Sequence, residues 1–236
     1  MASQILNMAY EQVLARKDEP EIEKTRQHSK PANFGYPGGM GANKFKTYAK
    51  QYGIILTDEE SVALRNTFLQ TFPEMRDYFK YCSDLLDTET VDGMEVASRI
   101  QFVGTGLFRG RVPYTAICNG MFQHLAAIGA KHALRQVMIE CYIDKGTALY
   151  GCRPVLFLHD EIAIEIPYTG KEANDAAERL AEVMRDTMKK HVYHVPITCG
   201  PVMMKRWFKG AKPVRLNGLL VPSKPGTEKG KWVADV

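Results

Sequence analysis

Residues 153–167 (RPVLFLHDEIAIEIP) restrict the fold more than any other stretch of the chain. Val155, Leu156, Phe157 and Leu158 run together, three polar residues follow, and Ile162, Ala163 and Ile164 resume the apolar character. Short unbroken apolar runs with a polar break between them are the pattern of buried strands, since a strand with one wet face would alternate. The segment predicts two buried strands joined by a turn at His159-Asp160-Glu161. Other elements must then cover both faces of that hairpin.

Most of the remaining sequence reads as helix. Ile5, Leu6, Ala9 and Val13 recur every three to four residues and predict a helix over 3–16. A charged, proline-containing break at 18–23 leads into a second helix over 22–36, ended by Pro37-Gly38-Gly39. Pro31 inside it forfeits a helical hydrogen bond, so a kink or a later start is expected. Phe45, Tyr48, Ala49 and Tyr52 share one side of a helix over 42–52. Thr57 and the acids at 58–60 suit the free N–H groups of a helix start, and that helix runs to 72. Pro73 opens another, to about 87. The Gly-rich residues 98–112 suggest a hairpin, 114–144 the longest helix, 171–191 an amphipathic helix, and 195–202 a further strand. The fold class is α+β, with a helical N-terminal half and a strand–helix–strand C-terminal half.

Composition narrows the setting. The chain has 236 residues, 45% hydrophobic and 25% charged, which suits one large domain or two modest ones. No apolar run approaches the roughly 20 residues needed to cross a bilayer. The N-terminus has no basic-then-apolar leader pattern, so a cytoplasmic protein with no membrane partner is expected. Five scattered cysteines form no C-x-x-C pair and read as reduced thiols. The net charge of +4 lies wholly in residues 209–236, since residues 1–208 carry 25 charges of each sign. That basic segment reads as a solvated, partly flexible tail with some capacity to touch phosphates.

Three residue sets carry candidate chemistry, and each has a plainer explanation when taken alone. Asp160 and Glu161 at a tight turn present oxygens to one region, as hard cations such as Mg²⁺ require. The plainer explanation is a solvated hairpin turn. Arg26, Lys30 and Phe34 recur every four residues and share a helix face, where two cations suit phosphates and a ring suits a sugar and base. Here the plainer explanation is a basic face with one core aromatic. Asn119 and Gln123, also four apart, offer amides suited to base edges in a minor groove, or amides bonded to nearby backbone.

In order and spacing these sets resemble the DNA polymerase I-like (family A) DNA polymerases. RQHSKPANFGYPGG (26–39) is similar to the family's fingers-helix motif, in which Arg, Lys and an aromatic recur every four residues before Gly. LHDEIAIE (158–165) resembles its palm hairpin, and CNGMFQHLAAIGAKHAL (118–134) its Asn-x3-Gln helix. FPEMRDYF (72–79) and VPITCGPVMMKRW (195–207) fall where the family has similar segments, so the resemblance covers about residues 1–208. It implies mainly helical fingers over 1–113, the C-terminal part of the palm over 114–208 with its antiparallel β-hairpin, and a basic tail over 209–236. Arg26 and Lys30 would contact the phosphates of an incoming dNTP, and Phe34 its sugar and base. Phe at that position implies poor acceptance of dideoxynucleotides. Asp160 would help bind two catalytic Mg²⁺ ions, with Glu161 supporting that site. His159 would lie near the primer terminus, and Asn119 and Gln123 would read the minor groove of template–primer DNA.

Two departures qualify the resemblance. The family often has a Tyr eight residues after the Lys. Here Gly38 stands there and Tyr36 lies two residues before it. The upstream palm motif, Asp-Tyr-Ser-x-x-Glu-like, whose Asp supplies the other metal-binding carboxylate, does not occur in the sequence, and neither thumb nor editing exonuclease is recognisable. The expectation is a split or truncated polymerase, inactive alone, whose palm is completed by a second polypeptide bearing the thumb, the remaining palm and the missing Asp. A phage or bacterial source fits the resemblance. The rivals are a non-catalytic DNA-binding replication module, a replication scaffold, and an RNA polymerase relative.

Overall fold

The computed structural model describes residues 1–87, 90–102, 105–228 and 230–235. Among them the chain is α+β, with eight helices and small antiparallel strand pairings, and it forms two compact units, Met1–Gln123 and His124–Val236.

The first unit begins with α1 (Ala2–Leu6), α2 (Tyr10–Ala15) and α3 (Pro20–Gly35). The single helix expected over 3–16 is broken at Asn7, which takes a left-handed φ of 50°. Asn tolerates that conformation because its short side chain bonds locally. The second helix starts two residues before the expected 22, with Pro20 in the first turn, where a missing N–H costs nothing. It continues through the buried Pro31 to Gly35. Next come α4 (Ala42–Lys50), α5 (Asp58–Thr71) and α6 (Met75–Asp84). A capping box opens α5 as expected: Glu60 N–H donates to Thr57 Oγ1 at 3.1 Å, and Thr57 N–H donates to Glu60 Oε2 at 2.8 Å.

Aromatic packing joins α3, α4 and α5. Tyr36 is 1% exposed. Its ring stacks on Phe45 with centroids 4.3 Å apart and lies 5.5 Å from Phe68. The phenol is buried but satisfied, because it donates to Ser61 O at 3.1 Å. A second cluster in this unit unites Cys82, Ala97, Ile100, Val112, Ile117 and Cys118. It fastens α6 to β2 (Met94–Gln101), β3 (Phe108–Pro113) and the first turns of α7 (Tyr114–Tyr142). The hairpin expected over 98–112 is longer than predicted, pairing from Val96↔Pro113 to Gln101↔Phe108. A short β1 (Thr90–Val91) adds to its edge.

The second unit takes the rest of α7, the hairpin β4 (Arg153–Leu158) and β5 (Glu161–Glu165), and α8 (Gly170–Lys189). Val137, Cys141, Leu149, Ile162, Ala176 and Val183 form its core. Glu140 is buried in α7, where Arg179 donates to both carboxylate oxygens at 2.8 Å and Gln136 donates at 3.0 Å. Burial pushes this carboxyl's pKa up, but Arg179 and Gln136 outweigh it and hold the group below the ordinary value of 4.5.

Three expectations for this half change. The hairpin forms where predicted, yet within this chain β4 is not buried: Val155 is 58% and Leu158 48% exposed, while Ile162 on β5 reaches the core. No strand forms over 195–202. Pro196 and Pro201 bring no N–H to a ladder, and the neighbouring Met203 makes only an isolated bridge with Pro222. The basic segment is folded rather than loose: β6 (Val214–Leu216) pairs with β7 (Leu219–Val221), and β8 (Ser223–Pro225) with β9 (Trp232–Ala234). Leu220 N–H donates to Asn174 Oδ1 at 2.8 Å, and Arg215 pairs with Glu178, so α8 anchors the first of these hairpins.

Candidate active site

In the second unit the candidate residues sit at the tip of the β4–β5 hairpin. Leu158 pairs with Glu161, which leaves His159 and Asp160 as a two-residue turn, with Glu161 already in β5. His159 takes φ 55°, the left-handed value that tight hairpin turns need and that glycine usually supplies. The register shifts between Pro154 and Leu156, so Val155 is bulged and the strand is bent near its start. His159, Asp160 and Glu161 are all exposed.

Among the described residues neither carboxylate has an ion-pair partner. Glu161 Oε1 accepts a long hydrogen bond of 3.5 Å from Trp207 Nε1. A cavity of about 350 Å³ lies beside the pair, walled by Leu180 and Met184 of α8 and by Cys199, Gly200 and Pro201. The Cys199 thiol lies in that wall; burial pushes its pKa up, Arg185 opposes this, and the nearby Asp160 charge adds to it.

Two adjacent, unpaired carboxylates are a donor set that suits Mg²⁺, a hard cation that favours oxygen ligands. No group of three or more His, Cys, Asp or Glu converges among the described residues. The donors fit part of a two-metal site, since such a site needs an opposing carboxylate to bridge the ions.

The other candidates belong to the first unit. Ile22, Ser29, Ala32 and Gly35 of α3 are buried, and Arg26, Lys30 and Phe34 form a stripe beside that seam. Phe34 is 63% exposed, so the ring is not a core residue. Lys30 is exposed. Arg26 is already engaged, donating to Glu23 Oε2 at 2.9 Å and to Lys17 O at 3.3 Å. A phosphate there would compete with Glu23 for it.

After Phe34 the chain turns sharply and presses on the start of α7. Gly39 has φ 75°, and a Cβ on it would meet Cys118 Sγ and Tyr114 Cε1 at 2.9 Å. A Cβ on Gly38 would stand 3.7 Å from Asn119 Cβ, so this turn brings Asn119 next to the α3 terminus. Asn119 is half-buried and Gln123 exposed, and neither side chain makes a hydrogen bond among the described residues. Tyr36 is a core residue, as its burial and its bond to Ser61 require, and offers no free ring for stacking.

Sequence reasoning missed the residues that border the hairpin tip, namely Trp207, Cys199 and Gly200. The signal for Trp207 was legible as an aromatic among cations in KRWFK. Cys199 and Gly200 lie in the family-like segment VPITCGPVMMKRW, but nothing in the sequence assigned them a role, because only the fold brings them beside Asp160.

No protein-family model and no curated protein matches this sequence.

Proposed function

We propose that this chain is the fingers and C-terminal palm portion of a DNA polymerase I-like (family A) DNA polymerase, working with a second polypeptide that completes the palm. The observation that carries this reading is the β4–β5 hairpin. It exposes Asp160 and Glu161 at its tip, while β4 exposes four successive apolar residues, Val155 to Leu158. Successive strand residues point to opposite faces, so both faces of β4 are apolar and open. Among the described residues the sheet is two-stranded, which leaves the outer edge of β4 unpaired as well. A strand with these three properties suits a site finished by another chain.

In this reading Lys30 and Arg26 hold the triphosphate of a dNTP, and Phe34 packs against its sugar and base. Asn119 and Gln123 contact the minor groove of the template–primer, and His159 lies near the primer terminus. The primer 3′-hydroxyl attacks the α-phosphate; the new P–O bond forms as the bond to pyrophosphate breaks. Asp160, with support from Glu161 and a carboxylate of the second polypeptide, would hold Mg²⁺, which when bound would stabilise the developing charge. Closure of the fingers helix on a matched nucleotide links selection to assembly of the site.

A non-catalytic DNA-binding module would retain the free amides of Asn119 and Gln123 and have no use for Lys30 or Asp160. Binding of a fluorescent dNTP with Mn²⁺ as the reporter metal separates the two. Polymerase function predicts that Lys30→Ala weakens nucleotide binding about tenfold or more, the usual value of hydrogen bonds to a charged group. It also predicts that Asp160→Ala weakens Mn²⁺ binding with the nucleotide present. DNA binding without either effect would favour the module.

A further inference from the structure

Residues 204–211 form a loop whose two ends are fastened at one point. Ser223 is 1% exposed, and its N–H donates to Met203 O at 2.8 Å. Its hydroxyl lies within hydrogen-bonding distance of Met203 O, at 3.2 Å, and of Lys212 O, at 3.0 Å. Inside the loop Phe208 N–H points at Met204 Sδ at 3.2 Å, and Ala211 N–H donates to Phe208 O at 3.3 Å. This is a short surface loop closed at its base and braced internally, a form that often presents side chains for binding.

Its contents are one-sided. Lys205, Arg206, Lys209 and Lys212 fall within ten residues that contain no Asp or Glu. All four are exposed, and none has an ion-pair partner among the described residues. Asp235 lies near Lys205 and Arg206, but its carboxylate is bonded to Lys224 at 2.8 Å. Trp207 and Phe208 sit between the cations, 54% and 37% exposed. Phe208 rests edge-on against Trp232 with centroids 5.9 Å apart, which fixes its direction. The Trp207–Glu161 contact places the loop beside the hairpin tip. Exposed cations interleaved with exposed aromatic rings fit a sugar–phosphate backbone: the cations take the phosphates and the rings lie against sugars or bases.

We propose that the 204–211 loop, with Lys212 at its base, is a DNA-backbone clamp that grips the template–primer beside the Asp160–Glu161 turn. This rests on the polymerase reading above and deepens it. Lys205, Arg206, Lys209 and Lys212 neutralise phosphates, and Trp207 lies against the strand. Ser223 is the positioning residue that holds both ends of the loop.

The test is fluorescence-anisotropy binding of a labelled template–primer across a salt series. It compares the natural sequence with K205Q/R206Q/K209Q and with a control of equal charge loss elsewhere, K44Q/K50Q/K145Q. Each phosphate contact contributes about 0.9 to the slope of log K against log salt on duplex DNA. The loop variant is expected to lower that slope by about 2 to 3 and the control to leave it in place; far-UV circular dichroism reports whether each variant folds. Trp207→Ala is expected to weaken binding with the slope unchanged. Tight binding by the loop variant with an unchanged slope, or equal loss in loop and control variants, overturns the clamp while leaving the polymerase reading standing. Failure of the natural sequence to bind DNA under any salt condition overturns both.

Discussion

At Gly39 the backbone turns from α3 onto the start of α7 with φ 75°, and the space for a side chain is already taken by Cys118 and Tyr114. Gly39→Ala would combine a left-handed conformation with an overpacked contact, at a cost of about 3 kcal/mol. Gly53 supplies the comparison, since it has φ 74° but nothing within 4 Å of a Cβ. Gly53→Ala should cost only the backbone part, about 1 kcal/mol. Urea unfolding of the two variants checks the difference; equal midpoints would mean that the Gly39 contact is not tight. Tyr36 shows how far single residues were legible. Its aromatic character was plain, but whether it serves a base or the core depends on Phe45, Phe68 and the Ser61 carbonyl, which arrive from elements far along the chain. Phe34, two residues earlier, has the same chemistry and is exposed.

Elements with strong local signals were the most legible. The Thr57–Glu60 cap, the long α7 and the amphipathic α8 form where the sequence indicates; the cap of α5 and the apolar periodicity of α8 are properties of neighbouring residues, whereas the apolar residues of α7 are spread over all its sides. The strand expected over 195–202 was misjudged for the opposite reason: its apolar residues suit a sheet, but a strand needs a partner edge, and two prolines weaken its claim on one. A pairing that no local pattern revealed joins α7 to α8, where His132 Nδ1 and His191 Nε2 lie 2.9 Å apart. Burial lowers the pKa of His191 below 6.5, and His132 and Lys190 lower it further. The folded state therefore binds a proton at His191 less readily than the unfolded chain. The stability this brings is complete above about pH 6.5 and is lost as pH falls through the lowered value. Thermal melts across that range should show a falling midpoint that His191→Gln flattens. Identical pH profiles for the two proteins would remove the pair from the account.

For the whole molecule, the α+β class was legible, and so was the hairpin at 153–167. The exposure of β4 was legible only through the absent upstream palm motif, which implied apolar surface left for a second polypeptide; the strand's own residues predict burial. That mismatch between a strand built for burial and its exposure in this chain is the physical ground on which a partner is proposed. It makes the central claim testable by primer extension with a labelled template–primer, four dNTPs and Mg²⁺. The account predicts no extension by this chain alone, and extension when a polypeptide bearing the complementary palm segment and its carboxylate is added. Asp160→Ala should abolish that restored activity without unfolding the chain, since the side chain is exposed. Asp160-dependent extension by this chain alone would contradict the divided site. No extension in either condition would contradict the polymerase assignment itself.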